Sequence, residues 1–427
     1  MKGMNLKEEL NCYIFEFEHL HYMYDYYNGI IIQLTDKTYS ELKQIINNES
    51  VCIEQYPYVQ QLINCGMIYG KRNELINNKE SSTAYLSFAP IYQCNFRCSY
   101  CFGEYGYKYK GKIRQYNDET IIDMLNYFFF TAYPNYQQYR IDFVSGGEPL
   151  IYNNIVQLIK LITQNGMKAS LNTNGWFLTQ DMFKKLIDAG LLIVNLSIDY
   201  PTTEKHDELR GLPGLFKKAT EQIKRCKETG IPFKLNVRMV LSKHNYKEIS
   251  EMIKLARELN ADMLSIDMIE ADSKNKLFLL NKDEIIDFKE NYVPMIVEQV
   301  KNLNIKENLK EFNIQQLKDM FNTNFNPIQN FENGLYWPDE HIKKKCDIPS
   351  SFMIIEGDGM VLPCNAVEYN RDKIIGNILD TDIIKLWNSN EWNEFRKNKM
   401  DFCRECPMNM CYMLVFNDEE INRDYFE

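Results

Sequence analysis

Three cysteines in the segment Cys94-Asn95-Phe96-Arg97-Cys98-Ser99-Tyr100-Cys101 constrain this chain more than any other feature. They sit at offsets of four and three, directly after a strand-like run from Ala84 to Ala89. Three thiolates on one tight loop can hold three corners of a cubane iron–sulfur cluster, which normally takes four. One iron is then open to a small molecule. Zinc is the alternative, but it usually wants a fourth Cys or His at similarly short spacing, and the five histidines (19, 21, 206, 244 and 341) lie elsewhere in the sequence. A bacterial ferredoxin run would continue to a further Cys-Pro, which is absent. The loop reads as an iron–sulfur loop with one ligand missing by design.

Cys-x3-Cys-x2-Cys with an aromatic, Tyr100, before the last Cys resembles the cluster loop of the radical S-adenosylmethionine (radical SAM) superfamily. The resemblance implies that the amino and carboxylate groups of SAM chelate the open iron of a [4Fe-4S] cluster. Reductive cleavage of the sulfonium would then give a 5′-deoxyadenosyl radical, with the protein supplying position and exclusion of water. A second motif, Gly146-Gly147-Glu148-Pro149, follows a strand-like run some way downstream. Glycines permit close backbone approach to a ligand, and a carboxylate accepts charge-assisted hydrogen bonds from an ammonium. Alone it reads as a tight turn; after the cysteine loop it is similar to the family's motif for the SAM methionyl amine. By the same resemblance Tyr100, Asn174, Ser197 and Arg210 are candidate SAM-binding residues. Asn and Asp at strand ends are also ordinary turn residues, and Arg210 would equally serve to anchor a loop. Arg238, on a later strand, faces inward or outward according to register.

Composition bounds the rest. Formal net charge is −10 with 25% charged residues, which argues against a nucleic-acid backbone as partner. Met1 to Leu10 shows no signal-peptide apolar region, and no run of about 18 apolar residues suggests a membrane span. Twelve cysteines without an export signal point to the cytoplasm and to metal binding rather than disulfides.

In chain order, residues 1–80 are expected to form a small separate unit. Short strands at 12–17, 20–25 and 29–34 precede a helix capped by Thr35 or Asp36 and running to Asn47, then a second helix over 58–65. This order resembles the winged-helix domain with which peptide-modifying enzymes hold a precursor's leader as an added strand; a structural appendage is the alternative. From 84 to 303 strands at 84–89, 140–144, 168–172, 191–198, 232–240 and 262–269 alternate with helices near 118–132, 153–165, 178–189, 215–229, 246–259 and 282–303. That is the pattern of a parallel sheet with crossover helices, here an α/β partial (βα)6 TIM barrel, the fold the resemblance also implies. Loops at C-terminal strand ends form the reacting face of such barrels. Residues 304–345 read as a polar connector.

Residues 346–427 carry the remaining constellation: Cys346, a hairpin through Glu356-Gly357-Asp358-Gly359 to Cys364, a helix over 381–397, then Cys403, Cys406 and Cys411. The hairpin and the Cys-x2-Cys resemble the SPASM/twitch extension that houses auxiliary clusters. These five cysteines suffice for one fully thiolate-ligated auxiliary [4Fe-4S] cluster. The spacing favours the shorter twitch type, with Cys346, Cys364, Cys403 and Cys406 as ligands and Cys411 as a spare or alternative. A structural zinc site is the other reading.

The resemblance implies a radical SAM maturase that forms a thioether or C–C crosslink in a ribosomally made peptide. Its partners would be a precursor peptide with a leader and a reductant such as flavodoxin or ferredoxin. Oxidation of a protein, as by an anaerobic sulfatase maturase, dehydrogenation of a small alcohol, and a non-catalytic electron-transfer or peptide-docking protein are the alternatives.

Overall fold

The computed structural model describes residues 12–17, 19–25, 30–47, 55–64, 83–101, 125, 138–144, 147–269, 275–303, 310–311, 314, 328–334, 352–364, 374–397 and 412–415. Near the N-terminus β1 (Cys12–Phe17), β2 (Leu20–Asp25) and β3 (Ile30–Leu34) form an antiparallel sheet in that order. Helix α1 (Asp36–Asn47) begins after Thr35, whose Oγ1 accepts from the Thr38 N–H at 3.2 Å, an N-cap of the expected kind. It buries Leu42 and Ile45. Glu41 of this helix accepts from the Tyr58 and Val59 N–H groups at 3.0 Å each, so it caps α2 (Pro57–Asn64).

The large sheet is built on six strands: β4 (Thr83–Phe88), β5 (Gln138–Phe143), β6 (Lys168–Thr173), β7 (Ile193–Ser197), β8 (Lys234–Leu241) and β9 (Met263–Met268). Each pairs in parallel with the next in chain order. Such pairing needs a crossover each time. The described crossovers are α3 (Ile155–Gln164), α4 (Gln180–Asp188), α5 (Thr203–Arg210) with α6 (Leu215–Glu228), and α7 (Ile249–Glu258). The helix expected near 118–132 lies almost wholly outside the described residues. The long helix expected over 282–303 is α8 (Lys282–Asp287) and α9 (Val293–Lys301) joined by a π turn, with Pro294 in the first turn of α9.

Strand alternation divides the sheet into two chemically distinct faces. Leu171, Val194, Leu196, Leu235, Val237, Leu264 and Ile266 lie in one core with the crossover helices. On the opposite face a ladder of amides runs across the strands: Asn195 Nδ2 donates to Asn172 Oδ1 at 2.8 Å, Asn236 Nδ2 to Asn195 Oδ1 at 2.9 Å, and Ser265 Oγ to Asn236 Oδ1 at 3.0 Å. The pairs Arg140–Asp142 and Arg238–Asp267 share this polar face. Buried amides linked this way satisfy one another, so the barrel can hold a polar interior beneath its mouth.

The C-terminal strands do not form a separate sheet. The expected hairpin is present as β10 (Phe352–Ile355) and β11 (Met360–Leu362), but β10 pairs in parallel with β4 and so extends the barrel sheet at its first edge. β12 (Gly376–Asn377) continues that side, and β13 (Tyr412–Val415) closes antiparallel onto β9 at the other. The helix expected over 381–397 is two short ones, α11 (Ile383–Trp387) and α12 (Asn390–Lys397), preceded in the connector by α10 (Ile328–Glu332). Among the described residues no helix is long and apolar enough to cross a membrane.

Leu196 is fully buried beneath the α6 start, and Ala219 and the Gly175 turn lie close around it. Leu196→Ala is expected to destabilise the chain by about 2–5 kcal/mol through the lost contacts and the cavity left behind. A thermal melt of the variant against the parent protein checks this.

Candidate functional site

The cysteine loop leaves the C-terminal end of β4 and is gripped from two sides. On one side the Glu148 N–H donates to Gln93 O at 2.9 Å. A Cβ at Gly147 would collide with that same carbonyl and stand 2.8 Å from the Ile91 oxygen, so only glycine lets the two loops approach this closely. On the other side the loop docks on the end of α5: Arg97 N–H donates to Arg210 O at 3.2 Å and Ser99 N–H to Leu209 O at 3.0 Å. Gly211 follows at φ +71, and a Cβ there would lie 2.7 Å from Arg97 O.

Glu148 is the centre of the first grip. Its side chain is almost entirely buried. Oε1 accepts from the Leu150 N–H at 3.1 Å and the Thr173 hydroxyl at 2.8 Å, and Oε2 accepts from the Asn174 N–H at 2.8 Å. Three of roughly four lone-pair sites on a carboxylate are thereby used. This fastens the end of β5 to the end of β6. The side chain thus has at most one acceptor site to spare for an ammonium. Burial pushes the Glu148 carboxyl up to about 7, against the pull of those three donors and of Arg210. Gly146 lies outside the described residues.

Asp199, just past β7, is the centre of the second grip. It is fully buried and accepts from Tyr100 Oη at 2.6 Å and from Arg210 Nε at 2.7 Å on Oδ2, while Oδ1 takes the Val240 N–H at 2.9 Å. Burial alone would raise its pKa; the charge and hydrogen bond of Arg210 outweigh that and hold it below the usual carboxylate range. Its backbone N–H donates to His206 Nδ1 at 3.2 Å, and burial keeps that imidazole neutral with a pKa near 4. Tyr100 and Arg210, both expected as SAM contacts, are therefore bonded first to Asp199. The sequence places both Ser197 and Asp199 at this strand end but marks only Ser197 as a candidate, since nothing local distinguishes Asp199 from an ordinary strand-end Asp.

The thiols fit a cationic metal centre. Cys94, Cys98 and Cys101 are outside any disulfide and partly buried. Burial pushes Cys94 up to about 11 and Cys98 up to about 12, with Arg210 acting in the opposite direction on both. The negative charges of the three sulfurs disfavour one another, so a bound cation is what allows them to ionise together. Soft sulfur donors of this kind select iron–sulfur clusters, copper or zinc. Asn174, at the end of β6, reaches the loop through Nδ2, which donates to Asn95 Oδ1 at 3.0 Å. Ser197 is half-buried and pairs in register with Arg238, whose guanidinium is bonded to Asp267.

The auxiliary cysteines are mostly out of view: Cys346, Cys403, Cys406 and Cys411 lie outside the described residues. Cys364 lies just past the end of β11, outside any disulfide and packed with Phe352, Ile354 and Leu362. The other end of that hairpin reaches the first cysteine loop. Tyr92, two residues before Cys94, donates to Glu356 and lies 3.2 Å from Asp358 Oδ1, and Gly357 sits against the Tyr92 backbone.

Residues 89–256 match the model of the Radical SAM superfamily, and residues 346–407 match SPASM, an iron–sulfur cluster-binding domain. The chain is a radical SAM enzyme. The radical SAM domain implies a [4Fe-4S] cluster with SAM, and the SPASM domain implies auxiliary iron–sulfur binding. Among curated proteins, the AdoMet-dependent heme synthase of Methanosarcina barkeri is 36% identical over 118 residues, 28% of this chain and 33% of that enzyme. The GTP 3′,8-cyclase of Alkaliphilus oremlandii is 32% identical over 213 residues, 48% of this chain and 63% of the cyclase. The chain thus spans between a third and two-thirds of these relatives. Among solved structures, Streptococcus suis SuiB bound to precursor peptide SuiA superposes with a TM-score of 0.55 at 16% identity, covering 92% of this chain and 90% of SuiB. The anSMEcpe structure with bound AdoMet gives 0.51 at 21% identity, covering 76% of this chain and 85% of that one. Both show a shared fold with this radical SAM enzyme.

Two outcomes follow from the grips. Asp199→Asn leaves the buried Arg210 without its counter-charge, which is expected to cost about 3–5 kcal/mol; the melting temperature and the iron bound after reconstitution should both fall. Glu148 binds protons more tightly in the folded state than its ordinary value of 4.5. Stability of the metal-free chain should therefore fall as pH rises from that value through about 7 and then level off. Urea unfolding across this range, with Glu148→Gln as the variant in which that slope disappears, checks the assignment.

Proposed function

We propose that this radical SAM enzyme modifies a ribosomally made precursor peptide, forming a thioether or C–C crosslink. The observation that carries the reading is the three-stranded sheet with two helices ahead of the barrel, together with a fold likeness to peptide-bound SuiB that extends over 92% of the chain. An open sheet edge takes an extended peptide as a further strand, which gives residues 1–80 a task as the leader-binding domain. Residues 84–303 are the catalytic barrel, 304–345 the connector and 346–427 the auxiliary-cluster domain.

Within the barrel, Cys94, Cys98 and Cys101 would hold the catalytic cluster. A [4Fe-4S] cluster with SAM supplies, when bound, a 5′-deoxyadenosyl radical able to take a substrate hydrogen. The chain's own work is positional. Glu148 fixes the backbone at Gly147 against the cysteine loop, and the Gly146-Gly147-Glu148 motif would meet the methionyl amine. Asp199 fixes Tyr100 and Arg210, leaving the guanidinium as the fixed positive charge nearest the thiolates and suited to the SAM carboxylate. Ser197, at the end of β7, would face the ribose or the carboxylate. Asn174, at the end of β6 with its amide bonded to Asn95 and to the Trp176 N–H, would support SAM through the cysteine loop. Cys346, Cys364, Cys403 and Cys406, with Cys411 as spare, would hold one auxiliary cluster. A cytoplasmic flavodoxin or ferredoxin would deliver the electron, and neither nucleic acid nor a membrane enters the scheme.

A second reading, modification of a small molecule, is favoured by the heme synthase and GTP cyclase similarity. It leaves the N-terminal sheet without a task. The two separate on one experiment: the anaerobic, reconstituted enzyme is given SAM, dithionite and the product of a short reading frame beside its gene. The peptide reading expects 5′-deoxyadenosine together with a peptide lighter by a pair of hydrogens. Deleting 1–80 should leave SAM cleavage in place and lower peptide modification by a factor of about 100, as expected when a tethering contact is lost. Peptide modification untouched by the deletion would contradict the role given to the N-terminal unit.

A further inference from the structure

Asn95, between the first two cysteines, carries a donor that the described residues do not use. Its Nδ2 is buried and has no hydrogen-bond partner among them. The amide cannot relieve this by turning over, because its orientation is set by a relay. The Asn174 N–H is held by Glu148 Oε2, and Asn174 Oδ1 accepts from the Trp176 N–H at 2.9 Å. That leaves Asn174 Nδ2 facing Asn95 and donating to its Oδ1 at 3.0 Å. A flipped Asn95 would set two donors face to face. Its Nδ2 must point away from Asn174, and a buried donor left unmade is costly to the fold. The relay spends Glu148, Asn174 and the end of β6 on aiming one amide.

We propose that Asn95 Nδ2 donates to the electron-rich acceptor that occupies this loop in the loaded enzyme. That acceptor is either a sulfur of the cluster held by Cys94, Cys98 and Cys101 or the carboxylate of the molecule on its open iron. The inference rests on the cluster-loop reading above and assigns a new positioning residue to it. Hydrogen bonds to cluster sulfurs raise the reduction potential, and a donor to a carboxylate tightens its binding. The two sources leave different signatures.

The test uses the reconstituted full chain and two variants that each break the Asn95–Asn174 bond: Asn95→Ala, which removes the donor, and Asn174→Ala, which keeps it. Iron and sulfide are counted first. The midpoint potential of the catalytic cluster is then read by EPR-monitored titration without SAM, and the SAM dissociation constant by equilibrium dialysis. If the partner is a cluster sulfur, Asn95→Ala lowers the SAM-free potential and Asn174→Ala lowers it less. If the partner is the SAM carboxylate, the SAM-free potential holds while Asn95→Ala weakens SAM at least fivefold and Asn174→Ala less. Should Asn95→Ala not load, Asn95→Leu, which keeps the side-chain volume, takes its place. Loaded variants that match each other, or match the parent, in both readings overturn the inference and leave the cluster loop standing. A parent protein that builds no cluster on the three cysteines defeats the underlying reading instead.

Discussion

The buried ion pair of Asp199 and Arg210 is the interaction on which the site depends. Asp199 closes on Tyr100 from the cysteine loop, Arg210 from α5 and the backbone of β8, so one carboxylate ties three separate chain segments together. A buried pair of this kind is poor evidence of net stability, because both charges lose their hydration. What it secures here is geometry. The loop that carries three thiols packs Phe96 into the core, and hydrogen bonds at α5 and at Glu148 fix its position.

The two grips differ in electrical character, and the difference suits a cluster with one open corner. On the Arg210 side a permanent positive charge lies beside the sulfurs. On the Glu148 side the carboxylate already accepts from Leu150, Thr173 and Asn174, so it acts as a rivet between strand ends. In the proposed site the guanidinium next to Tyr100 would serve the carboxylate of a ligand that bears both an ammonium and a carboxylate, and the Gly147 side would take its ammonium. Beneath them the amide ladder from Asn172 to Ser265 keeps the barrel interior polar without leaving its groups unsatisfied.

Much of this was legible in the sequence because its signals are local. The cysteine spacing, the paired glycines, six strand-and-helix units and the Gly-rich hairpin each occupy a short window, and the six parallel strands fall within a few residues of their expected bounds. What escaped depends on partners far apart in the chain. Helix α5, Thr-Glu-Lys-His-Asp-Glu-Leu-Arg, has almost no apolar periodicity, and its burial of His206, Leu209 and Arg210 is decided by the cysteine loop packed against its end. Asp199 looked like one more strand-end Asp until Tyr100, 99 residues away, was found bonded to it. The hairpin at 352–362 was foreseen, but its pairing with β4 was not, since strand order is set by the whole sheet.

That pairing brings the turn of the C-terminal hairpin onto Tyr92, beside Cys94, while Cys364 lies at the hairpin's far end. Cys364 and the first cysteine loop are therefore linked through one hairpin. The central claim is that the first trio holds a cluster of its own, and metal counting on the Cys94/Cys98/Cys101→Ala triple variant tests it most directly. Anaerobic reconstitution followed by iron and sulfide analysis should show the variant short of the parent by about four irons, with the remainder retained by the C-terminal cysteines. Equal iron in the two proteins, or zinc without sulfide in both, would contradict the account.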